Sequence, residues 1–285
     1  MINLKKIQNT TSVEVLSITE ITAFQREIYS YYHNNGRKFP WRDTDNPYHI
    51  LISEVMLQQT QVNRVLEKYE QFLTVFPSVA ALGAAPISAI YTIWQGLGYN
   101  RRVLFLKETA RLIQQHYNGK VPSDTALLSK LPGIGKNTAS AIVVFAYNKP
   151  EVFIETNIRA VYIHFFSHNS GRVADKHLIP FISKTLVHNN PRLWYYALMD
   201  YGVMLKKEYS NPGRKSAHYI KQTAFEGSDR QIRGNILKQL SKQHKMTGMR
   251  LKALLSAESD RVDILLKQLQ KEGIIQRVGK FYCLQ

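Results

Sequence analysis

The sequence predicts an all-α fold, because its apolar residues recur at helical spacing and its turn signals separate stretches of helical length. Intervals of three and four residues connect the apolar positions Ile50, Leu51, Val55, Met56 and Leu57, and then Val65, Leu66, Tyr69 and Phe72. Turns are expected at Gly96–Gly98 and Pro132–Gly135, and strand-like alternation is scarce before residue 270. We therefore expect a helical body.

Length and charge narrow the class of protein. With 285 residues, 44% of them hydrophobic, the chain can bury a sizeable core. Lys and Arg outnumber Asp and Glu by 38 to 21, a formal net charge of +17, which favours a polyanion as partner and nucleic acid first. A membrane surface is the alternative, but the sequence contains no lipidation signal, basic amphipathic anchor or long apolar span.

Cysteine and histidine usage argues against a metal centre. Cys283 is the sole cysteine, which excludes an intrachain disulfide framework and a multi-cysteine metal site. The nine histidines have no zinc-type spacing, so we expect no metal site. The first residues include two lysines but no apolar signal core, and we therefore expect a cytoplasmic, nucleoid-associated protein.

A polar, basic and turn-rich stretch over residues 211–229 suggests a boundary between a large domain, residues 1–228, and a small one, residues 229–285. In the small domain the pattern predicts three helices and then two short strands. The helices are Gln231 to Leu240, one N-capped by Thr247 that runs to Leu255, and Ser259 to Lys271; the strands are Ile274 to Val278 and Lys280 to Leu284, around Gly279.

Three helices followed by a β-hairpin is the element order of a winged helix. The segment from Asp229 to Gln285 carries twelve Lys and Arg against five Asp and Glu. We expect this winged-helix-like module to contact DNA. A solvated charged face on a dimerisation module is the alternative, although the chain is expected to be a monomer.

The sharpest local signal is the segment Leu131–Ala139, which lies between two predicted apolar helices, Thr125 to Lys130 and Thr138 to Ala146. Two glycines around one apolar residue allow a tight hairpin whose backbone can approach a phosphate, and the N–H groups at the next helix start attract anions. This is the helix-hairpin-helix pattern, a sequence-independent grip on one DNA strand. A plain turn between helices is the alternative.

Two glutamates are candidates for acid chemistry. Glu54 lies among apolar residues of a predicted helix, and such surroundings raise the pKa of a carboxylic acid until it can protonate a leaving group near neutral pH. Glu155 follows an apolar segment, and a second carboxylate is what a cationic sugar intermediate requires. Pattern alone would leave both residues on the surface.

Several short segments resemble, in the same order, those of the MutY-type adenine DNA glycosylases of the helix-hairpin-helix superfamily. They are Phe39–Arg42, Asn46–Tyr48, Ser53–Val62, Gly96–Tyr99, Leu131–Gly135 and Ala197–Gly202. The resemblance covers about residues 20–205 and implies a two-lobed helical fold. It also implies base excision repair: removal of adenine mispaired with 8-oxoguanine or guanine in double-stranded DNA, by hydrolysis of the N-glycosidic bond.

The resemblance assigns roles by position. Glu54 is the general acid, Glu155 occupies the place of the family's aspartate that stabilises the oxocarbenium-like intermediate, and Asn157 lines the same site. Asn137 stands where lyase-active relatives carry a Schiff-base lysine, which implies monofunctional hydrolysis. The DNA-binding residues would be Gln58 and Gln59, which would fill the gap in the duplex or contact the base opposite, and Tyr99, which would wedge into the stack beside that base. The hairpin residues Gly133, Gly135, Lys136 and Asn137 would also bind DNA.

The chain departs from that family in three ways. Glu155 is one methylene longer than the family's aspartate, and the four cysteines that would ligate an iron-sulfur cluster are missing. The expected winged-helix-like module, residues 229–285, is far too short to be the Nudix-like domain that the family typically carries. No cofactor is therefore expected, apart from an alkali ion that the resemblance implies at the hairpin. A mismatch uracil or thymine glycosylase and a non-catalytic DNA-binding regulator remain alternatives.

Overall fold

The computed structural model describes Val13 and residues 16–167, 171–221, 224–255 and 257–285, and most of these are helical. The helices of the body are α1 (Ile18–Asn35), α2 (Pro47–Leu57), α3 (Val62–Val75), α4 (Val79–Ala84), α5 (Ile87–Trp94), α6 (Arg101–Tyr117), α7 (Thr125–Leu128), α8 (Lys136–Tyr147), α9 (Thr156–Phe166), α10 (Asp175–Thr185) and α11 (Pro191–Glu208). Short 3-10 turns cover Pro40–Arg42 and Pro212–Lys215. The all-α prediction for the body is confirmed.

The described residues divide into two compact units. Unit 1 is drawn from Met1–Asp45, Ser123–Thr125 and Gly135–Lys221, and unit 2 from Asn46–Pro122, Ala126–Ile134 and Gln222–Gln285. The hairpin segment is where the chain leaves unit 2 and enters unit 1. The domain boundary at residues 228 and 229 stays a prediction.

An aromatic cluster fills the core of unit 1. Phe24 of α1 is fully buried and meets four other rings edge to face, namely Tyr162, Phe165, Phe166 and Trp194, with centroids 5.1 to 5.7 Å apart. Such pairs stabilise a core beyond their buried area, by about 0.5–1.5 kcal/mol each. The cluster fixes α9 and α11 against α1.

Helix α2 of unit 2 begins and ends where local chemistry dictates. Pro47 occupies its first turn, and the Asn46 side chain caps it by accepting hydrogen bonds from the backbone N–H groups of Tyr48 and His49. The helix ends at Leu57, and Gln58 is its C-cap. One face packs Leu51, Val55 and Met56 into the core, as the apolar spacing predicts.

The last part of unit 2 contains α12 (Asp229–Gln243), β1 (Lys245–Thr247), α13 (Gly248–Leu254), α14 (Ser259–Lys271), β2 (Ile275–Val278) and β3 (Phe281–Leu284). Thr247 caps α13 through its hydroxyl, which accepts from Arg250 N, and Gly279 has a φ of 60° between β2 and β3, both as expected. The strand β1 was not expected. It pairs with β3 antiparallel, giving the sheet order β1-β3-β2.

The strand β1 escapes sequence detection because it has three residues and buries only Met246, too short a stretch for alternation to register. The winged-helix interpretation of these elements remains a prediction. Among the described residues, none of the helices combines the length and the apolar character needed to cross a membrane.

Candidate functional site

The ten residues singled out from the sequence lie in both units. Unit 2 contains Glu54, Gln58, Gln59, Tyr99 and Gly133; unit 1 contains Gly135, Lys136, Asn137, Glu155 and Asn157. The structure connects several of them within each unit through hydrogen bonds, and it adds three charged residues that the sequence did not single out: Arg102, Asp200 and Lys206.

Glu54 sits near the end of α2 and is half-buried. Its neighbours Ser53, Val55 and Met56 are buried, and the Ser53 hydroxyl donates to the Ile50 carbonyl at 2.9 Å. The carboxyl therefore projects from an otherwise apolar stretch of helix. This is the setting that the sequence predicts for a proton donor.

Buried Arg102 holds together the loops that follow α2 and α5. Only 8% of the residue is exposed, and its guanidinium donates seven hydrogen bonds of 2.7 to 3.3 Å, to the carbonyls of Val55, Met56, Gln58, Leu97, Gly98 and Tyr99 and to the Thr60 hydroxyl. Burial lowers the pKa of Arg102 to about 10, while Tyr99 raises it, so the side chain stays charged at neutral pH. The negative end of the α2 dipole stabilises that charge.

The Arg102 contacts fix the backbone around the candidate DNA-binding side chains of unit 2. Gln59 and Tyr99, both exposed, have φ values of 54° and 46°, a left-handed conformation that costs free energy in residues with a Cβ. The Gln58 amide donates to the Gly133 carbonyl at 3.1 Å. The loop after α2 is thereby connected to the hairpin segment.

The two glycines of the hairpin differ in what the structure requires of them. Gly133 has a φ of 74°, and a Cβ there would lie 2.9 Å from the Cβ of Phe105. Gly135, the N-cap of α8, has an ordinary φ, and a Cβ there would meet nothing within 4 Å. Neither N–H donates a hydrogen bond within the part of the chain that the structure describes, and Lys136 is exposed beside them.

Three predicted residues come together in unit 1. The Asn137 amide donates to the Ile154 carbonyl at 2.9 Å, directly before Glu155. Glu155 is the N-cap of α9: one carboxylate oxygen accepts from the backbone N–H groups of Asn157 and Ile158 at 2.8 and 2.9 Å. The other accepts from the Asn157 side-chain amide at 3.2 Å. The carboxylate is thus the cap of α9, the helix that follows the apolar segment.

Two of the quoted sequence segments meet at a buried ion pair in unit 1. Asp200, 2% exposed, accepts from the Arg42 guanidinium at 2.8 and 2.9 Å and from Arg37 at 2.7 Å. Burial raises the pKa of Asp200, but hydrogen bonds and charge from Arg42 and Arg37 outweigh burial, so the pKa lies below its ordinary value. The pair connects the segment before α2 to α11.

A four-cysteine iron-sulfur cluster does not fit this chain, since Cys283 is its sole cysteine and lies in β3. Within the described ranges, no three His, Cys, Asp or Glu side chains converge on a position suited to a metal ion. The segment Ala197–Gly202 is followed in α11 by lysine rather than cysteine at position 206.

The helical units and the hairpin with its two glycines define a helix-hairpin-helix protein. The family described as HhH-GPD superfamily base excision DNA repair protein matches residues 52–183. A thymine/uracil-DNA glycosylase of Pyrobaculum aerophilum is 32% identical over 179 residues, 61% of this chain and 77% of that protein. The chain belongs to the HhH-GPD superfamily.

Other relatives carry a different substrate in their names. An adenine DNA glycosylase of Buchnera aphidicola subsp. Baizongia pistaciae is 38% identical over 194 residues, 66% of this chain. The match spans about half of that relative, 54% of its length. Among solved structures, a thermostable thymine-DNA glycosylase is similar with a TM-score of 0.60 and 28% identity, covering 65% of this chain and 87% of that one.

Proposed function

We propose that the chain is a monofunctional DNA glycosylase that removes adenine mispaired with 8-oxoguanine or guanine. The observation that carries the proposal is Glu54, half-buried on the apolar helix α2 inside the family match. A purine leaves readily only after protonation, so a carboxylic acid in this setting suits adenine better than a pyrimidine. The identity to adenine DNA glycosylases supports the same base.

The proposed reaction uses the two carboxylates in sequence. Glu54 donates a proton to a ring nitrogen of the flipped adenine, and the N-glycosidic bond breaks with its electron pair going to the base. The Glu155 carboxylate stabilises the cationic sugar, and water then attacks C1′ and gives a proton to the Glu54 carboxylate, which leaves an abasic site and restores the acid. Asn137 provides no amine for an imine, which is why hydrolysis rather than strand cleavage is proposed.

The proposed DNA contacts combine backbone and side chains. The N–H groups of Gly133 and Gly135 and the ammonium of Lys136 suit a phosphate, because they are exposed and make no bonds of their own in the described structure. Gln58, Gln59 and Tyr99 would occupy the space that the flipped base leaves. The Arg102 contacts would keep their backbone in place before DNA arrives.

We also propose that the hairpin can bind an alkali ion, with ligands limited to backbone carbonyls. The carbonyls of Leu131, Pro132 and Gly133 already accept hydrogen bonds from Ile134 N, Thr109 and Gln58, so any of them would have to use its second lone pair.

We also propose that residues 229–285, with twelve Lys and Arg, form a winged helix that adds duplex affinity, and that the protein acts as a monomer.

The test is base release from four duplexes that contain A opposite 8-oxoguanine, A opposite G, G opposite U and G opposite T, each treated with alkali to cut abasic sites. We expect cleavage at adenine in the first two. Cleavage without alkali would contradict the monofunctional assignment. Tight binding with no cleavage in any duplex would instead identify a DNA-binding regulator.

A mismatch thymine or uracil glycosylase is the second candidate. It is favoured by the relative from Pyrobaculum aerophilum, of which the chain covers 77%, more than of the adenine-specific relative. Release of uracil or thymine, with adenine retained, would establish this candidate over the first.

A further inference from the structure

One lysine of unit 1 is connected to the candidate catalytic carboxylate, Glu155, through the side chain of Asn157. Lys206 lies on α11, is half-buried, and donates from Nζ to the Asn157 Oδ1 at 2.8 Å. The next residue, Lys207, is exposed. The two lysines therefore differ in environment while sharing the same helix and the same charge.

The lysine determines which way the Asn157 amide faces. An ammonium group only donates hydrogen bonds, so the amide oxygen must point to Lys206. The amide nitrogen then points to Glu155, where it donates to the carboxylate oxygen that the backbone N–H groups leave available. Lys206, Asn157 and Glu155 form one directed chain of hydrogen bonds.

A close approach of two helices brings this chain together. A Cβ at Gly202 would come 2.3 Å from the Asn157 carbonyl oxygen, so only glycine permits the observed distance between α11 and the start of α9. Lys206 follows one turn later, on the face of α11 that Gly202 presents to Asn157. The packing of the helices thus aims the lysine at the amide.

Lys206 is the cation that binds the Asn157 amide oxygen, because the nearby Arg159 is paired with Asp175. Arg159 makes two short bonds to Asp175, at 2.6 and 2.7 Å, so its guanidinium is already paired with a carboxylate. Burial lowers the pKa of Lys206, Arg159 lowers it further, and the negative charge of Glu155 raises it. The Glu155 charge and the lysine charge stabilise each other through the intervening amide.

We propose that Lys206 is a positioning residue, which holds the Glu155 carboxylate through Asn157 in the orientation that catalysis requires. The inference rests on the proposed function. Glu155 has one more rotatable bond than an aspartate would have, so a carboxylate held only at one oxygen would be free to turn. Fixing the second oxygen through Asn157 removes that freedom.

The experiment measures adenine release in a single turnover, together with the dissociation constant for the same duplex. In Lys206→Met we expect the rate to fall roughly 10- to 100-fold, since misplacement of a catalytic group by about 1 Å costs on that order. We expect the dissociation constant to change less than about threefold. The matched control Lys207→Met removes the same charge and should keep the rate within about twofold.

The partly conservative variant Lys206→Gln retains an amide donor and should recover part of the lost rate. An unchanged rate in Lys206→Met would overturn the proposal, as would a rate loss matched by an equal loss of DNA affinity or by a lowered Tm that Lys206→Gln does not restore.

A second readout separates the proposal from the proposed function. If the wild-type protein released no base from any duplex, the function would be wrong, and crystal structures of the wild type and Lys206→Met would still test the positioning role. Rotation of the Asn157 amide away from Glu155 in the variant supports it. Unchanged Asn157 and Glu155 side chains would contradict it.

Discussion

Each unit places a cation next to candidate functional residues, Arg102 buried in unit 2 and Lys206 half-buried in unit 1, but the two cations have different partners. In unit 2, Arg102 donates to six backbone carbonyls and one hydroxyl. In unit 1, Lys206 donates to a single side-chain amide. The first arrangement fixes the backbone of two loops, whereas the second fixes one side chain.

This difference predicts different consequences of losing each cation. Removing Arg102 would take one charged donor away from each of six carbonyls, some of them buried, which destabilises the fold as well as the loops. Removing Lys206 would leave one amide free to rotate and would change the reaction more than the fold. The following predictions test this contrast, from the largest effect to the smallest.

The largest effect is expected for Arg102→Met. Loss of its donors should lower the free energy of unfolding by about 4 kcal/mol, because a hydrogen bond to a charged group contributes about 1.5–3 kcal/mol and several of these bonds are buried. Urea unfolding measures this value. The control Arg101→Met removes an exposed cation that lies 5.0 Å over the Phe105 ring, and it should cost less than about 1 kcal/mol. Similar losses in both variants would contradict the role assigned to Arg102.

The buried ion pair of Asp200 with Arg42 contributes to stability in a pH-dependent way, in contrast to Arg102. The folded pKa of Asp200 lies below its ordinary value, so its contribution to stability is complete above roughly pH 4 and is lost as the pH falls through the folded pKa. Asp200→Asn should lower the free energy of unfolding by about 3 kcal/mol at neutral pH. The gap between variant and wild type should shrink as the pH falls from 5 to 3.

Arg102 should behave differently, because its partners are oxygens that do not titrate in this range. The cost of Arg102→Met should therefore stay nearly constant over the same range, from pH 5 to 3. A gap between Asp200→Asn and wild type that does not narrow in acid would show that the Asp200 carboxylate carries no such contribution.

Gly202→Ala tests the helix contact that aims Lys206. The added methyl group would clash with Asn157, so we expect a loss of about 1–3 kcal/mol and slower adenine release. Gly234→Ala is the control, since a Cβ there meets nothing and alanine favours a helix; it should be neutral or stabilising by up to about 1 kcal/mol. Unaltered adenine release in Gly202→Ala would show that the close contact of α11 with Asn157 does not position Lys206 for catalysis.

The smallest effect concerns DNA contacts of the two units. Lys136→Gln in the hairpin and Lys271→Gln at the end of α14 each remove one exposed charge. If each lysine neutralises one phosphate, the slope of log affinity against log salt should fall by about 1 in either variant. A slope unchanged in Lys271→Gln alone would argue against DNA contact by the C-terminal segment.

The sequence predicted what depends on local chemistry. Apolar spacing identified α2 and α3, and residue type identified the cap at Thr247 and the position of Gly279 between the last two strands. Each of these features is decided within a few residues.

The contacts of Arg102 and Lys206 could not be predicted in this way. Arg102 is preceded by another arginine, and nothing in the sequence indicates which of the two is buried, because its acceptors come from residues 55–60 and 97–99. The contact of Lys206 with Asn157 likewise depends on helix packing. The Arg42–Asp200 pair could have been proposed from the sequence, since both residues belong to segments that resemble the same family.

The central claim, that Glu54 is the acid of an adenine glycosylase, is tested most directly by Glu54→Gln in single-turnover release of adenine opposite 8-oxoguanine. The account predicts no detectable release with duplex affinity retained, because glutamine matches the size of glutamate but donates no proton of suitable pKa. The exposed-site control Glu67→Gln should behave as wild type. Undiminished release by Glu54→Gln would contradict the claim.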